Sequence, residues 1–216
     1  MKILEIIRSR KTEKVLADPE NPWPVVQNSA IPIDAILEAG RWAPFHYPSH
    51  KQHRGHSDDI LPWHAYTLDS QACRILLKKL MDSGLDGGKI FGLLAAAEFT
   101  ILVTWKPNPE LNKDSVDEYY PSLENMEHIA AASAAIQNML LQATEASAPN
   151  YWSSGGILRE SLARDLVGIP CGQILLGALF LFPKKELFPT PPVKIVPGKL
   201  RHSRPKENIW TTSVSL

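Results

Sequence analysis

In a chain of 216 residues, helical apolar periods alternate with two continuous apolar runs, and this pattern predicts one α/β domain whose helices cover a sheet. The length allows a substantial core but not two comfortable domains. Lys and Arg total 23 and Asp and Glu total 23. No net field therefore steers the chain to nucleic acid, to an anionic membrane or to polyacidic substrates, and any charge recognition must be local. The first ten residues are too short an apolar stretch for a signal sequence, and no run approaches the roughly 18 apolar residues of a membrane span. Cys73 and Cys171 lie far apart without a CxxC pair, which fits a reducing compartment. A soluble cytoplasmic protein is expected.

Leu4 and Ile7, followed by charge, read as an amphipathic first helix. Pro19, Pro22 and Pro24 then break regular structure, because proline fixes φ and removes a donor. Ile33, Ile36, Leu37 and Gly40 recur at helical spacing, with Asp34 near the start to favour the helix dipole. From Ala43 to Pro62 the chain is polar and rich in histidine, without an apolar period, and reads as a long mobile loop or lid. Trp63 to Leu68 alternates as a short strand, Ala72, Ile75, Leu76 and Leu80 mark a helix, and Gly84, Gly87 and Gly88 punctuate its end.

Phe99 to Thr104 is β-branched and aromatic, as a strand buried on both faces should be, and Ile174 to Phe182 is a second run of that kind. Between them Met126, Ile129, Ser133, Ile136, Leu140 and Ala143 step by three and four along one long helix. Alanines widen its apolar stripe nearly all round, so it must be covered on most sides, and a dimer core is the economical expectation. Ile157 to Leu166 reads as another helix, ending before Gly168 and Pro170. The Pro-rich tail over 184–216 has little period and should lie extended across another surface.

Candidate chemistry begins at Arg10, Lys11, Thr12 and Lys14, where cations and a hydroxyl follow a short helix and could grip a phosphate. Taken alone, this is also what a solvated basic turn looks like. A second basic cluster, Lys199, Arg201, His202 and Arg204, sits in the tail, and an extended tail can bring Arg204 back to Arg10. Asn150 to Gly156 supplies glycines that let backbone approach a flat ligand, or else an ordinary Ser/Gly helix cap. Histidines 46, 50, 53, 56 and 64 raise a metal reading, but Lys51 and Arg54 are interleaved and no HExxH or cysteine partner is present. A solvated, pH-sensitive loop fits them better. GxGxxG, the P-loop lysine motif and the GxSxG elbow are all missing.

Taken in order, these segments resemble the nitroreductase family. Arg10, Lys11, Thr12 and Lys14 are similar to that family's basic signature, with Lys11 and Thr12 in place of the commoner Arg and Ser. Ala39 to Pro44 resembles its helix end and Ala-Pro turn, and Pro62-Trp63 its Pro-Trp pair before a strand. Trp152 to Gly155, preceded by a helix bearing Gln137 and Asn138, resembles its Trp-x-Ser/Thr-Gly turn, Ile169 to Pro183 the strand before its tail, and Arg204-Pro205 its terminal Arg-Pro element. The link from Phe45 to Leu61 is longer than the family's short polar one.

The resemblance implies an α+β sandwich, a mostly antiparallel sheet flanked by helices, in an intertwined homodimer with an FMN site at the interface. It implies that Arg10, Thr12 and Arg204 hold the FMN phosphate, with Lys11 and His202 supporting. Lys14 would stand by the pyrimidine edge of the ring, where a cation favours the reduced flavin, and is the candidate catalytic residue. Trp152, Ser154 and Gly155 would face the ring's reactive edge, while Pro44 and His46 of a second subunit would border its open face. NAD(P)H would reduce the flavin and a small nitroaromatic, quinone or similar acceptor would then take the electrons, in a ping-pong cycle. The His-rich loop would be the lid, with access altered below about pH 6.5. Alternatives are a flavin-storing or flavin-consuming protein of the same fold, and a metal-binding interaction protein built on the His loop.

Overall fold

The computed structural model describes residues 2–54, 59–109, 120–192, 194–198 and 211–214. Its centre is a four-stranded antiparallel sheet in the order β2-β3-β5-β4, formed by β2 (Trp63–Asp69), β3 (Phe99–Trp105), β4 (Asn150–Ser153) and β5 (Ile174–Leu181). The two apolar runs are its neighbouring central strands, paired from Phe99 opposite Leu181 to Trp105 opposite Ile174. Side chains alternate across a strand, so Leu102, Ala178 and Phe180 enter one core while Ile101, Val103, Leu179 and Leu181 enter the other.

The first core is closed by α3 (Ser70–Asp82), α4 (Lys89–Ala96) and α6 (Ser161–Val167), through Leu76, Leu77, Leu80, Leu93, Leu94 and Ala163. Asp69 caps α3 by accepting from the Ala72 amide at 2.8 Å, satisfying a donor that the helix start leaves orphaned. The half-buried Arg74 donates to the carbonyls of Trp23 and Leu94, binding the Pro-rich loop to this layer. On the other face lie α2 (Ile33–Arg41) and the long α5 (Leu123–Glu145). Ile36, Ala132, Ala135, Ile136, Met139 and Ala143 fill that core. Gly40 permits the close crossing, since a Cβ there would stand 2.9 Å from Met139 Cγ.

Three details depart from the sequence reading. The helix α4 was not anticipated, because the apolar stretch runs through it into β3 with little polar punctuation. Residues 150–153, expected as a turn, form the edge strand β4, with Asn150 opposite Leu181 and Ser153 opposite Ala178. The helix expected over 157–166 is divided into a 3₁₀ turn at Gly156–Arg159 and α6, with extended Glu160 (φ −67°, ψ 150°) between them. The described part of the tail runs along the chain's own N-terminal segment, where β6 (Lys194–Pro197) pairs antiparallel with β1 (Glu13–Leu16).

The first helix, α1 (Ile3–Ser9), buries no side chain, leaving Ile3 72 % and Leu4 52 % exposed. Leu123 and Met126 near the start of α5 are exposed as well. Among the described residues, no helix is long and apolar enough to cross a membrane.

Candidate functional site

The N-terminal signature and the Trp-Ser-Ser-Gly segment, far apart in sequence, meet at the edge of the sheet. On β1 the half-buried Lys14 sets its Nζ 4.6 Å from the ring centroid of Tyr151 on β4. The Tyr151 ring stacks in turn on Phe180 of β5, with centroids 6.3 Å apart and planes at 17°. The ammonium thus rests on an aromatic face that the sheet holds in place, a favourable arrangement for a cation. Sequence reasoning overlooked Tyr151; its position beside the aromatic Trp152 was the available signal.

Past β4 the chain turns through Gly155, which is buried and has φ 111°, a conformation open to glycine but strained for other residues. A Cβ there would also stand 2.9 Å from Leu175 Cδ2. The Gly155 amide donates to Ser153 Oγ at 3.2 Å, and Arg159 clamps the turn by donating to the Ser154 carbonyl at 2.5 Å and the Leu176 carbonyl at 3.2 Å. The Trp152 indole occupies the space over Gly177, where a Cβ would stand 2.0 Å from its Nε1. Helix α4 closes the far side, since a Cβ at Gly156 would meet Ile90 Cγ1 at 3.0 Å and one at Gly92 would meet the Ala17 carbonyl at 3.2 Å.

Glu13 and Lys14 are consecutive in β1, so their side chains leave opposite sides of the strand. The Lys11 ammonium pairs with Glu13 at 3.3 Å, and Lys185 reaches the same carboxylate at 3.3 Å. These side chains line a separate open cavity of about 470 Å³ with Asn150 and Lys184. Arg10 is half-buried at the end of α1. The tail arrives at this end of β1, where the Gly198 amide donates to the Thr12 carbonyl at 3.2 Å. His202 and Arg204, with Lys199 and Arg201, lie outside the described residues.

Pro44 and His46 are exposed and stand apart from this cradle. His46 Nδ1 is 3.2 Å from Glu127 Oε2 of α5, and its ring lies 4.6 Å from that of Tyr47. They begin the His-rich loop, whose described part is not free. Its base closes where the buried Ser49 donates its amide to the Ile60 carbonyl at 2.9 Å and its hydroxyl to the Asp59 carbonyl at 3.2 Å. Arg54 donates back to the Ser49 carbonyl at 3.0 and 2.6 Å.

Beyond the His46–Glu127 contact, the segment after β3 also fastens the described part of the loop to the body. Lys106, only 3 % exposed in its side chain, gives its ammonium to Asp59 Oδ2 at 2.8 Å. His53 Nε2 donates to the Pro107 carbonyl at 2.7 Å. Burial pushes the His53 pKa down, the Pro107 bond opposes this, and the Lys106 charge pushes it further down. Burial alone would raise the Asp59 pKa, but the Lys106 ammonium and the Leu61 amide hold it below the ordinary carboxylate value. No set of three His, Cys, Asp or Glu side chains suited to a metal ion occurs among the described residues, though His56 lies outside them.

No protein-family model matches the sequence, and no curated protein does. Solved structures do. A nitroreductase-like family protein from Bacillus cereus superposes with a TM-score of 0.55 at 20 % identity, over 95 % of this chain and 95 % of that one. A nitroreductase with bound FMN from Bacteroides fragilis gives 0.54 at 20 % identity, over 90 % and 95 % of the two chains. A nitroreductase family protein from Clostridium difficile gives 0.58 at 16 % identity, over 100 % of each. An antiparallel sheet between two helical layers, matched along nearly its whole length by these proteins, gives this chain the nitroreductase-like fold.

Proposed function

We propose that this protein is an FMN-dependent oxidoreductase that takes electrons from NAD(P)H and passes them to a small electrophile such as a quinone or nitroaromatic. The observation that carries the reading is the junction at the sheet edge: Lys14 held over Tyr151 beside the buried Gly155 turn, with the tail returning to Thr12. These are the elements in which the sequence resembles the nitroreductase family, and in this fold they come together.

The donor set suits a flavin mononucleotide. Arg10 and Thr12 bring a guanidinium and a hydroxyl to one short segment, which is chemistry for a phosphate, and Arg204 would join them from the tail. Lys14 holds a positive charge at the rim of an aromatic wall, where it would stabilise negative charge on a bound ring. The sharp turn at Gly155 removes side-chain bulk where a flat group would approach. FMN, when bound, would supply two-electron hydride chemistry, and the protein would supply position, electrostatics and access. Donor and acceptor would use one face in turn, a ping-pong cycle. The exposed apolar side chains of α1 and of the start of α5 favour a homodimer, in which Pro44 and His46 would reach the other subunit's site.

A flavin-binding protein without turnover is favoured by one observation, the Gly155 amide already given to Ser153 Oγ at 3.2 Å. Purified protein should carry flavin absorbance and oxidise NAD(P)H with a quinone acceptor. Flavin without oxidation would select the second reading, and protein that takes up no FMN would refute both. In the phosphate site, Arg10→Ala with Arg204→Ala should release FMN, and full flavin retention by the double variant would remove these residues from the proposal.

A further inference from the structure

Two adjacent glycines carry the chain out of β4, Gly155 at φ 111° and Gly156 at φ 53°. A peptide unit beside glycine rotates at little steric cost, so residue type makes this path accessible and its neighbours select it. Leu175 and Ile90 wall the two glycines, and the stem of Arg159 crosses the first, its Cγ 3.3 Å from where a Gly155 Cβ would stand. Arg159 ends the short 3₁₀ turn Gly156–Arg159 and folds back over it. Its Nε donates to the Ser154 carbonyl at 2.5 Å and its Nη2 to the Leu176 carbonyl at 3.2 Å.

Leu176 is out of register with the sheet. Pairing between β3 and β5 steps from Val103 opposite Gly177 to Thr104 opposite Leu175, so Leu176 is an extra residue, a β-bulge. On the other side of β5 the pairing with β4 ends at Ser153 opposite Ala178. One guanidinium thus joins the bulge of a central strand to the glycine turn, where the edge strand has ended. The C=O and N–H of a trans peptide point opposite ways. Holding the Ser154 carbonyl therefore also sets the direction of the Gly155 amide, which reaches Ser153 Oγ at 3.2 Å.

We propose that Arg159 is a positioning residue of the cradle: its forked guanidinium locks the Ser154–Gly155 peptide in one orientation, and that orientation tunes a flavin bound there. With the carbonyl kept on the guanidinium, the amide side of the peptide is the side left for a ring. An amide facing the ring favours its anionic, reduced state, and a carbonyl in the same place opposes it. Two carbonyls in fixed directions call for the planar fork of arginine, whereas a lysine ammonium is a point charge on a flexible stem. The lock rests on these contacts alone, and its effect on a flavin rests on the oxidoreductase reading.

Amide hydrogen exchange followed by NMR on the full-length protein tests the lock without any ligand. The reporters are the Gly155 amide and the Leu158 amide, which donates to the Gly155 carbonyl at 3.1 Å. In Arg159→Ala and in Arg159→Lys alike, their exchange should quicken about tenfold while the amides of Leu179 and Phe180 in β5 stay as in the wild type. Wild-type protection in both variants overturns the proposal. Recovery in Arg159→Lys alone overturns it too, because charge without the fork would then suffice. In FMN-loaded protein both variants should favour the reduced flavin about tenfold less than the wild type does, which is about 30 mV in a two-electron midpoint potential. A wild-type potential in Arg159→Ala, with the turn loosened, also overturns the proposal. Protein that takes up no FMN would refute the oxidoreductase reading instead, and the exchange rates would still decide the lock.

Discussion

The cradle at Lys14 and the loop from Phe45 to Leu61 solve opposite problems. In the cradle the backbone is fixed by sheet pairing and glycine turns, while Lys14 remains half-buried on an aromatic ring without a carboxylate at salt-bridge distance among the described residues. In the described part of the loop several polar groups have a protein partner: Ser49 with Ile60 and Asp59, Arg54 with Ser49, Asp59 with Lys106, and His53 with Pro107. A region that keeps its charge available is prepared for a ligand. One that pairs its charges internally is prepared to hold a shape until one pairing fails.

That contrast predicts its largest effect at Asp59. Asp59→Asn would leave Lys106, 3 % exposed in its side chain, without its counter-charge. Breaking a buried pair costs about 3–5 kcal/mol, and because Asp59 is itself partly open the lower end, about 3 kcal/mol, is expected in chemical unfolding. Replacing both partners, as in Asp59→Leu with Lys106→Met, should recover most of that loss. A double variant as unstable as the single one would show that the pair's charges are not what matters.

The pH dependence separates the two anchors. The folded-state pKa of His53 is lowered from 6.5, so the unfolded chain binds more protons and stability falls as pH drops below that value toward the lowered one. The carboxyl of Asp59 is lowered from 3.8, so its contribution persists through that window and is lost only as pH falls below 3.8. Loop exchange and global unfolding followed against pH should therefore give two separate acid transitions.

How much of each region could be read in the sequence follows from the range of the interactions. The central strands and α5 announced themselves because their periods are local and repeated many times. The cradle was legible because its parts are short motifs in a set order, although Tyr151 and the strand β4 were missed, four residues being too few for a period. The loop's anchors could not be read because they are not local: Asp59 and Lys106 are 47 residues apart, and His53 and Pro107 54 apart. A polar, aperiodic stretch looks the same whether its charges meet water or each other. The boundary between α4 and β3 was hidden by uniform apolarity, which is ambiguous between helix and strand.

The next effect in size probes the cradle's backbone. Gly177→Ala sets a methyl 2.0 Å from Trp152 Nε1 and 3.1 Å from the Ser153 carbonyl. The indole can swing away but the strand carbonyl cannot, so overpacking of about 1–3 kcal/mol is expected. The Trp152 fluorescence should shift as well. By contrast, Gly84→Ala meets nothing within 4 Å and carries only the cost of φ 74°, on the order of 1 kcal/mol. A Gly177→Ala variant as stable as the wild type would mean that Trp152 can move aside without cost.

The smallest stability effect belongs to the residue on which the functional reading depends most. Lys14→Met keeps the aliphatic stem on Tyr151 and removes the ammonium that lies 4.6 Å from the ring centroid. At a half-exposed site such a contact contributes about 0.5–1 kcal/mol, so unfolding should change little. Flavin chemistry should change far more, because no other cation is paired with that face among the described residues. If Lys14 stabilises negative charge on a bound ring, the reduction potential of the flavin-loaded variant should fall, with flavin content kept by Arg10 and Thr12. Lys14→Arg should restore most of that potential. A variant that loses stability but keeps the wild-type potential would turn Lys14 from a functional charge into a strut, and would make the cradle the same kind of structure as the loop.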